Sequence, residues 1–546
     1  MAKKGDYENW RVVDFFCGAG GFSEGFHQAG FDVIRAYDIW EPAIVTHNKN
    51  HPNKSSEVAK YGDVYNISIL PDEEFEKWVP DSEVIIGSPP CVAFSNSNKS
   101  GKGDKALGIK LLESYLRIVA RKKFKKDSKL KYWILENVSN VQSYIKDSYT
   151  MEELELEYLG DYVLDVKNEM ANVYNTKYYG VPSNRKRYIC GEFCRPVETN
   201  DDNTVKTLRD AMVPLGNMTG EDFEEVYDPN FNFKLEKNLV SDLFYVKEIA
   251  KFEWNKAKRQ KQDKGYMGKM SFPENLDRPA RTVMATMSSS SRESMIFPYK
   301  KGRYRYPTIR EVATIMSFPI DYRFYGDSDS IKYKLVGNAV PPKFSYALAK
   351  AILIHEGKPV NEIYIKKTFP EKDSDFCDLN YKVFELKVEK EKKYKTKFKY
   401  HVPYLIIRSY RTELLNEFVH EKVVWKAEIH KSQGNSARIY TFNNLNLDFM
   451  DKKDSLFIDR YVKKIIIEIG SFNQLQRNYC MPIDSKIEGG LKGPEEILGN
   501  IRELIDERFH GYNGEIYDKN EDVFIPEKIC ISYYILKQII GGIEHE

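Results

Sequence analysis

A short apolar run, RVVDFF (residues 11–16), breaks into the glycine-rich turn CGAGGF (17–22) and resumes at once as a helical pattern that Gly30 closes. A strand passing through glycines straight into a helix commits the chain to a crossover connection, the unit of a parallel sheet. The pattern repeats. Further β-rich runs follow at DVIRAYD (32–38), EVIIGS (83–88), KYWILEN (131–137) and KRYICGEF (186–193). Helical stretches lie between them: EPAIVTHNKN, and the long amphipathic KALGIKLLESYLRIVARKKF with Leu111, Leu112, Tyr115, Ile118 and Val119 on one side. The expected fold class is α/β, a Rossmann-like, doubly wound, mostly parallel sheet.

From about Thr199 to Tyr299 this regularity fails, and the stretch reads as a separate irregular module. Order returns at YPTIREVATIMSFP and LVGNAVPPKFSYALAKAILIHEG, whose second half is a helix after Pro341 and Pro342 that ends at Gly357. Domains are therefore expected at 1–198, 199–299 and 300–358, the last returning to the first. A charged linker at 359–400 and a C-terminal α+β accessory domain at 401–546 follow. The chain has 546 residues, too many for one core.

Net charge separates few function classes, because 83 basic residues face 81 acidic ones, so any nucleic-acid surface must be local. Three local basic runs stand out: Arg117–Lys131, Lys256–Lys269 and Tyr299–Tyr306. Each suits phosphate or a merely solvated face. Seven scattered cysteines form no disulfide framework, and MAKKGDYENW opens without an apolar signal region, which points to a reducing cytoplasm. No run reaches the roughly 18–20 apolar residues that a membrane span needs. Cys190 and Cys194 lack the second pair that zinc spacing would require, so no metal is expected.

The glycine turn misses the dinucleotide fingerprint, since Ser23 stands where the third glycine belongs. It still allows a cofactor's close approach, and Asp38, about twenty residues on, ends the second strand where an acid can hold ribose hydroxyls. Asp63, in GDVYNI, ends what reads as a third strand and could reach an adenine amino group. A plain tight turn is the alternative. The run EVIIGSPPC sets Cys91 just beyond a strand's carboxyl end, stiffened by Pro89 and Pro90, where an open α/β sheet puts its ligands. Cys91 there is either a nucleophile awaiting a neighbour that favours its thiolate or a small buried apolar group. Glu136, ending the next strand, is either an acid opening into the same crevice or the cap of a turn. Arg185 and Arg187, two apart and so on one face of an extension, suit a carbonyl oxygen, a phosphate or a solvated edge.

Taken together in this order, DFFCGAGGF, YDIW, GDVYNI, GSPPCVAFS, WILENV, VPSNRKR, RPARTVMA and LVGNAVPPKFSYALA resemble the cytosine-5 DNA methyltransferases, over most of Arg11 to about Gly357. The resemblance implies a class I methyltransferase fold with S-adenosylmethionine as cofactor. It implies that Phe16, Gly18, Gly20 and Gly21 cradle that molecule, that Asp38 and Asp63 hold its ribose and adenine, and that Asn338 closes the pocket. Ile39, Val64, Pro90 and Ala339 fall in the same matched segments as cofactor-binding positions. Cys91 would be the nucleophile, Glu136 the group on the cytosine ring nitrogen, and Arg185 and Arg187 its supporting cations. Residues 199–299 would form the target recognition domain, with Ser95, Lys99, Lys102, Arg278 and Arg281 on double-stranded DNA. A cognate restriction endonuclease is an implied partner.

Two positions depart from the family pattern: Val92 and Ser183 both stand where it has Gln. Both departures remove side-chain hydrogen bonds near the site and prompt a catalytically silent nucleic-acid-binding or regulatory protein as a rival reading; transfer RNA as the acceptor, as in one branch of this fold family, is another.

Overall fold

The computed structural model describes residues 10–52, 57–90, 104–216, 223–244, 246–263, 272–288, 294–299, 302–381, 385–432, 437–442, 447–518 and 521–544. The chain forms two compact units, one of residues 1–248 and 273–385, the other of 249–272 and 386–546.

The first unit is built on a seven-stranded sheet. Its strands are β1 (Arg11–Phe15), β2 (Asp32–Asp38), β3 (Ala59–Tyr61), β4 (Val84–Gly87), β5 (Tyr132–Asn137), β6 (Asn172–Asn175) and β7 (Lys186–Glu192), in the order β3-β2-β1-β4-β5-β7-β6. Strands β3 to β5 in that order are parallel, whereas β7 runs antiparallel to both of its neighbours. Four consecutive residues of β1 and all four of β4 are buried, the signature of parallel strands covered on both faces. The covering helices on the early part of the chain are α1 (Gly21–Ala29), α2 (Glu41–Asn50), α3 (Val64–Ser68), α4 (Asp72–Trp78) and α5 (Lys105–Phe124). The expected runs for β1, β2, β4, β5, β7, α1, α2 and α5 all coincide with elements. The chain leaves β1 toward β2 on one side and reaches β4 on the other, so the carboxyl ends of β1 and β4 flank the sheet's switch point.

The basic run at 117–131 serves structure. Arg117, Arg121 and Lys122 on α5 are buried and pair with Glu155, Asp72, Glu76 and Asp81, while Lys123 and Lys125 pair with Glu192, Glu76 and Asp81. Much of the run at 299–306 is likewise committed, Arg303 to Glu248 and the buried Arg305 to Glu311 at 2.7 Å.

The units divide the chain at other positions than the composition suggested. Most of the irregular stretch folds with the sheet: Leu208, Ala211 and Met212 of α6 (Leu208–Met212) share a core with Val283, Met295 and Phe297. That core continues into α8 (Ile309–Ile315) and α9 (Asp329–Asn338); only 249–272, which holds α7 (Lys251–Lys258), leaves. The first part of the expected linker is packed down, with Ile365 N donating to Gln28 Oε1 and Lys367 Nζ paired to buried Glu24 at 2.6 Å. Helix α10 (Pro342–His355) closes the unit against α1.

The second unit has a four-stranded antiparallel sheet, β8 (Lys399–His401), β9 (Tyr410–Val419), β10 (Lys422–Lys431) and β11 (Arg438–Tyr440). Its core sets Leu414, Trp425 and Ile429 with apolar side chains of α11 (Lys452–Ile469), α12 (Phe472–Cys480), α14 (Pro494–Glu507) and α15 (Glu527–Glu544); a short α13 (Ile483–Glu488) follows α12. Among the described residues no helix is long and apolar enough to cross a membrane.

One fully buried ion pair makes a direct stability test. Lys332 on α9 reaches both oxygens of Asp242, at 2.8 and 3.0 Å, and neither side chain is exposed. Removing one partner strands a charge in a medium that cannot solvate it, so Lys332→Met should cost about 3–5 kcal/mol in a urea melt. A loss below about 1 kcal/mol would show the pair to be dispensable.

Candidate functional site

The turn after β1 is held in place by the acid that ends β2. Gly18 N donates to Asp38 Oδ2 and Trp40 N to Asp38 Oδ1, both at 2.9 Å. Burial raises the Asp38 carboxyl above its usual range, opposed by these backbone donors. Phe16 and Gly18 both adopt positive φ, 58° and 53°. A side chain at Gly18 would meet no atom within 4 Å, so this glycine opens onto free space. Gly20 and Gly21 serve packing instead. A Cβ on Gly21 would lie 2.2 Å from the Val340 carbonyl oxygen, and one on Gly20 2.7 Å from the Tyr322 hydroxyl, which itself donates to Ala19 O at 2.6 Å.

The remaining cofactor candidates separate in the same way. Ile39 is 62% exposed beside Asp38, and Asn338 is exposed at the end of α9. Val64 is packed into the core beside Tyr37 and Ile67, and Ala339 is also buried. Asp63 does not end a strand: β3 stops at Tyr61, and Asp63 caps α3 by accepting from Asn66 N at 3.1 Å. A two-residue gap with a glycine separates strand from helix there, a break that apolar content alone did not reveal.

At the neighbouring strand ends, Ser88 Oγ donates to Phe16 O at 3.1 Å and Asn137 Nδ2 donates to Pro89 O at 3.0 Å. The proline pair is thereby tied to the glycine turn on one side and to β5 on the other. Ser88 and Asn137 lie inside quoted motifs but attract no notice as residue types. Pro90 is exposed. Cys91, Ser95, Lys99 and Lys102 lie outside the described residues, as does Val92.

Glu136 is the penultimate residue of β5, 6% exposed, and Arg187 on β7 reaches it with Nε 2.9 Å from Oε1. Burial pushes the Glu136 carboxyl up, and the guanidinium groups of Arg187 and then Arg185 pull it back. The two arginines do not share one task. Arg185 precedes β7, and its guanidinium donates to the carbonyls of Val283, Gly337 and Ala339 at 3.1–3.2 Å, fastening the returning chain beside the site. Ser183 is buried and donates to Arg281 O at 3.2 Å. Arg281 itself pairs with Glu274 at 2.5 Å, whereas Arg278 is exposed. Two described cysteines near these elements are unsuited to attack: burial raises the thiols of Cys17, in the turn, and Cys190, in β7. Among the described residues no cluster of His, Cys, Asp and Glu could hold a metal ion.

A buried carboxyl between two guanidinium groups, beside a tethered proline pair and an open glycine turn, is equipped to hold a polar ring next to a bound cofactor. A family model described as C-5 cytosine-specific DNA methylase matches residues 10–354. The chain belongs to this family.

Type II methyltransferase M.MthTI of Methanothermobacter thermautotrophicus is 28% identical over 365 residues, covering 63% of this chain and 97% of that protein. M.NgoPII of Neisseria gonorrhoeae is 28% identical over 364 residues, covering 63% and 96%, and M.FnuDI of Fusobacterium nucleatum 27% over 365, covering 63% and 94%. This methylase therefore spans nearly the whole length of these relatives, and the family match stops at residue 354, so the second unit lies largely beyond it.

The glycines divide by what surrounds them, and substitution should show it. Gly21→Ala drives a methyl into a backbone carbonyl and should cost about 3 kcal/mol. Gly18→Ala has room and should cost only the left-handed strain, about 1–2 kcal/mol. Denaturant midpoints of the two variants give the comparison, and equal losses would contradict the division.

Proposed function

We propose that this methylase transfers a methyl group from S-adenosylmethionine to carbon 5 of a cytosine flipped out of a specific duplex sequence. The observation that carries the reading is the Glu136–Arg187 pair, held at 2.9 Å at the carboxyl end of β5, where Asn137 ties down the two prolines that precede Cys91.

Carbon 5 of cytosine is too weakly nucleophilic to take a methyl group unaided. Addition of the Cys91 thiolate to carbon 6 makes the ring an enamine, while Glu136 donates a proton to ring nitrogen 3. The raised pKa of Glu136 suits that donation, and Arg187 orients its carboxyl and offers its remaining N–H groups to the carbonyl side of the ring. When bound, S-adenosylmethionine supplies the electrophilic methyl. Loss of the carbon 5 proton to water, return of the nitrogen 3 proton to Glu136 and expulsion of the Cys91 thiolate then release 5-methylcytosine, with S-adenosylhomocysteine as the other product.

The cofactor's place is supported by Gly18, whose open side admits a close-lying group, by exposed Ile39, and by the Asp38 carboxylate beside them. Gly20, Gly21, Val64 and Ala339 shape this pocket from behind, through packing. Asn338 and Asp63 lie at its rim in this reading, with Phe16 and Pro90. Ser95, Lys99 and Lys102, together with Arg278, would contact the DNA; Arg281 supports that surface through Glu274. Extruding the base costs a few kcal/mol, which such contacts offset. The named relatives are type II methyltransferases, which supports protection of DNA against a cognate restriction endonuclease as the biological setting.

Incubation with methyl-labelled S-adenosylmethionine and duplexes of varied sequence should label cytosine carbon 5, and transfer RNA should remain unlabelled. Cys91→Ser should abolish transfer and the covalent adduct with 5-fluorocytosine DNA, and Glu136→Gln should slow transfer by about 10²–10⁴. Label on transfer RNA alone, or neither label nor adduct on any duplex, would overturn the reading.

A further inference from the structure

The family's target-recognition region should lie between the two halves of the catalytic unit, and in this chain most of that stretch belongs to the same compact unit as the sheet, with apolar clusters of its own. What leaves is Ile249–Phe272. Twenty-four residues bury too little surface to fold alone. The segment is completed by the C-terminal 161 residues, 386–546, with which it forms one compact unit. A piece of chain placed where the family reads DNA is thus structurally part of the C-terminal unit.

The charge of that unit is unevenly spread. Residues 401–546 carry 19 basic and 23 acidic side chains, while 386–400 carries seven lysines against two glutamates and 249–263 five basic residues against two acidic. The two basic segments adjoin. Lys387 pairs with Glu253 at 2.7 Å, and Tyr400 Oη donates to Arg259 O at 3.2 Å, with the Arg259 guanidinium 5.2 Å from the Tyr400 ring centre. Lys392 anchors its segment by donating from Nζ to Tyr479 O at 2.9 Å. Around these anchors Lys256, Lys258, Lys390, Lys393 and Lys397 are exposed, and Tyr394 lies among them.

Lys251, Arg259, Lys395 and Lys399 of these segments pair with Asp484, Glu495, Glu421 and Glu413, much as cations of the other two basic runs pair with acids of the first unit, while the five exposed lysines stand outside those pairs. Excess positive charge on two adjoining segments, interleaved with aromatic side chains, suits a polyanion with a regular phosphate spacing. We infer that the C-terminal unit, completed by residues 249–272, is a duplex-DNA-binding module of this methylase, with Lys256, Lys258, Lys390, Lys393 and Lys397 on the phosphate backbone.

The inference rests on the proposed DNA substrate, and the test separates the two. Full-length K256E/K258E and K390E/K393E/K397E are compared with the unaltered protein and with K126E/K129E, a reversal of exposed lysines on the first unit. Binding of a labelled duplex is followed by anisotropy across a salt series, and methyl transfer is measured at limiting and saturating DNA. Each multiple reversal should weaken DNA binding about tenfold and flatten the log-affinity against log-salt slope by roughly one to three. The KM for DNA should rise while kcat and S-adenosylmethionine binding stay near those of the unaltered protein, and K126E/K129E should change neither. Unaltered DNA affinity and salt slope in both multiple variants, in a protein that does methylate duplexes, would overturn this inference alone and leave an acidic protein as the partner of these lysines. An unaltered protein that neither binds nor methylates any duplex would overturn the proposed function with it.

Discussion

The catalytic unit depends on one close approach between distant parts of the chain. Helix α1 begins directly under the glycine turn, and α10, more than three hundred residues later, lies against it so tightly that two positions must be glycine. A Cβ at Gly21 would strike Val340 O, and one at Gly25 would come within 2.4 Å of Ser345 Cβ and the Tyr346 nitrogen. Tyr322 and Ser345 then donate hydrogen bonds to the Ala19 and Phe22 carbonyls. The turn's shape is therefore set from outside its own sequence. Arg185, on three carbonyls of the returning chain, makes the second clasp.

That clasp explains why two arginines so close in sequence do different work. One is spent on backbone oxygens and contributes to Glu136 only through its field, while the other touches the carboxyl directly. The combination keeps a buried acid from either extreme. Desolvation alone would hold Glu136 neutral over a wide pH range, and a fully exposed pair with arginine would hold it ionised. The net result is a carboxyl held above its usual range, which suits the proton donation proposed for it.

Three basic runs of similar composition meet different ends. The lysines and arginines at 117–125 are neutralised by acids of α4, its flanking loop and β7, so that run holds a helix to a sheet. Arg305 is buried in a bidentate pair with Glu311. The run beginning at Lys256 joins the second unit, where a lysine-rich segment lies beside it; Lys387 and Arg259 pair there with Glu253 and Glu495, and Lys256, Lys258, Lys390, Lys393 and Lys397 stay exposed. Only the acids brought near by folding distinguish an ion-paired scaffold from a surface for phosphate.

The sequence by itself determined the alternation of strands and helices through β5 and the return of the chain near residue 309, and it singled out Cys91, Glu136 and the glycine turn as the candidates for the proposed chemistry. These signals are local: hydrophobic period, capping residues, and motifs at strand ends. Tertiary structure alone decided that Gly20 and Gly21 answer to Tyr322 and Val340, that Asp63 caps a helix, that Arg185 is a clasp, and that residues 249–272 belong with a C-terminal partner. Each of those depends on atoms far apart along the chain. Periodicity reports only which face of an element is buried, so it carries no record of which distant element buries it or of which charge waits there.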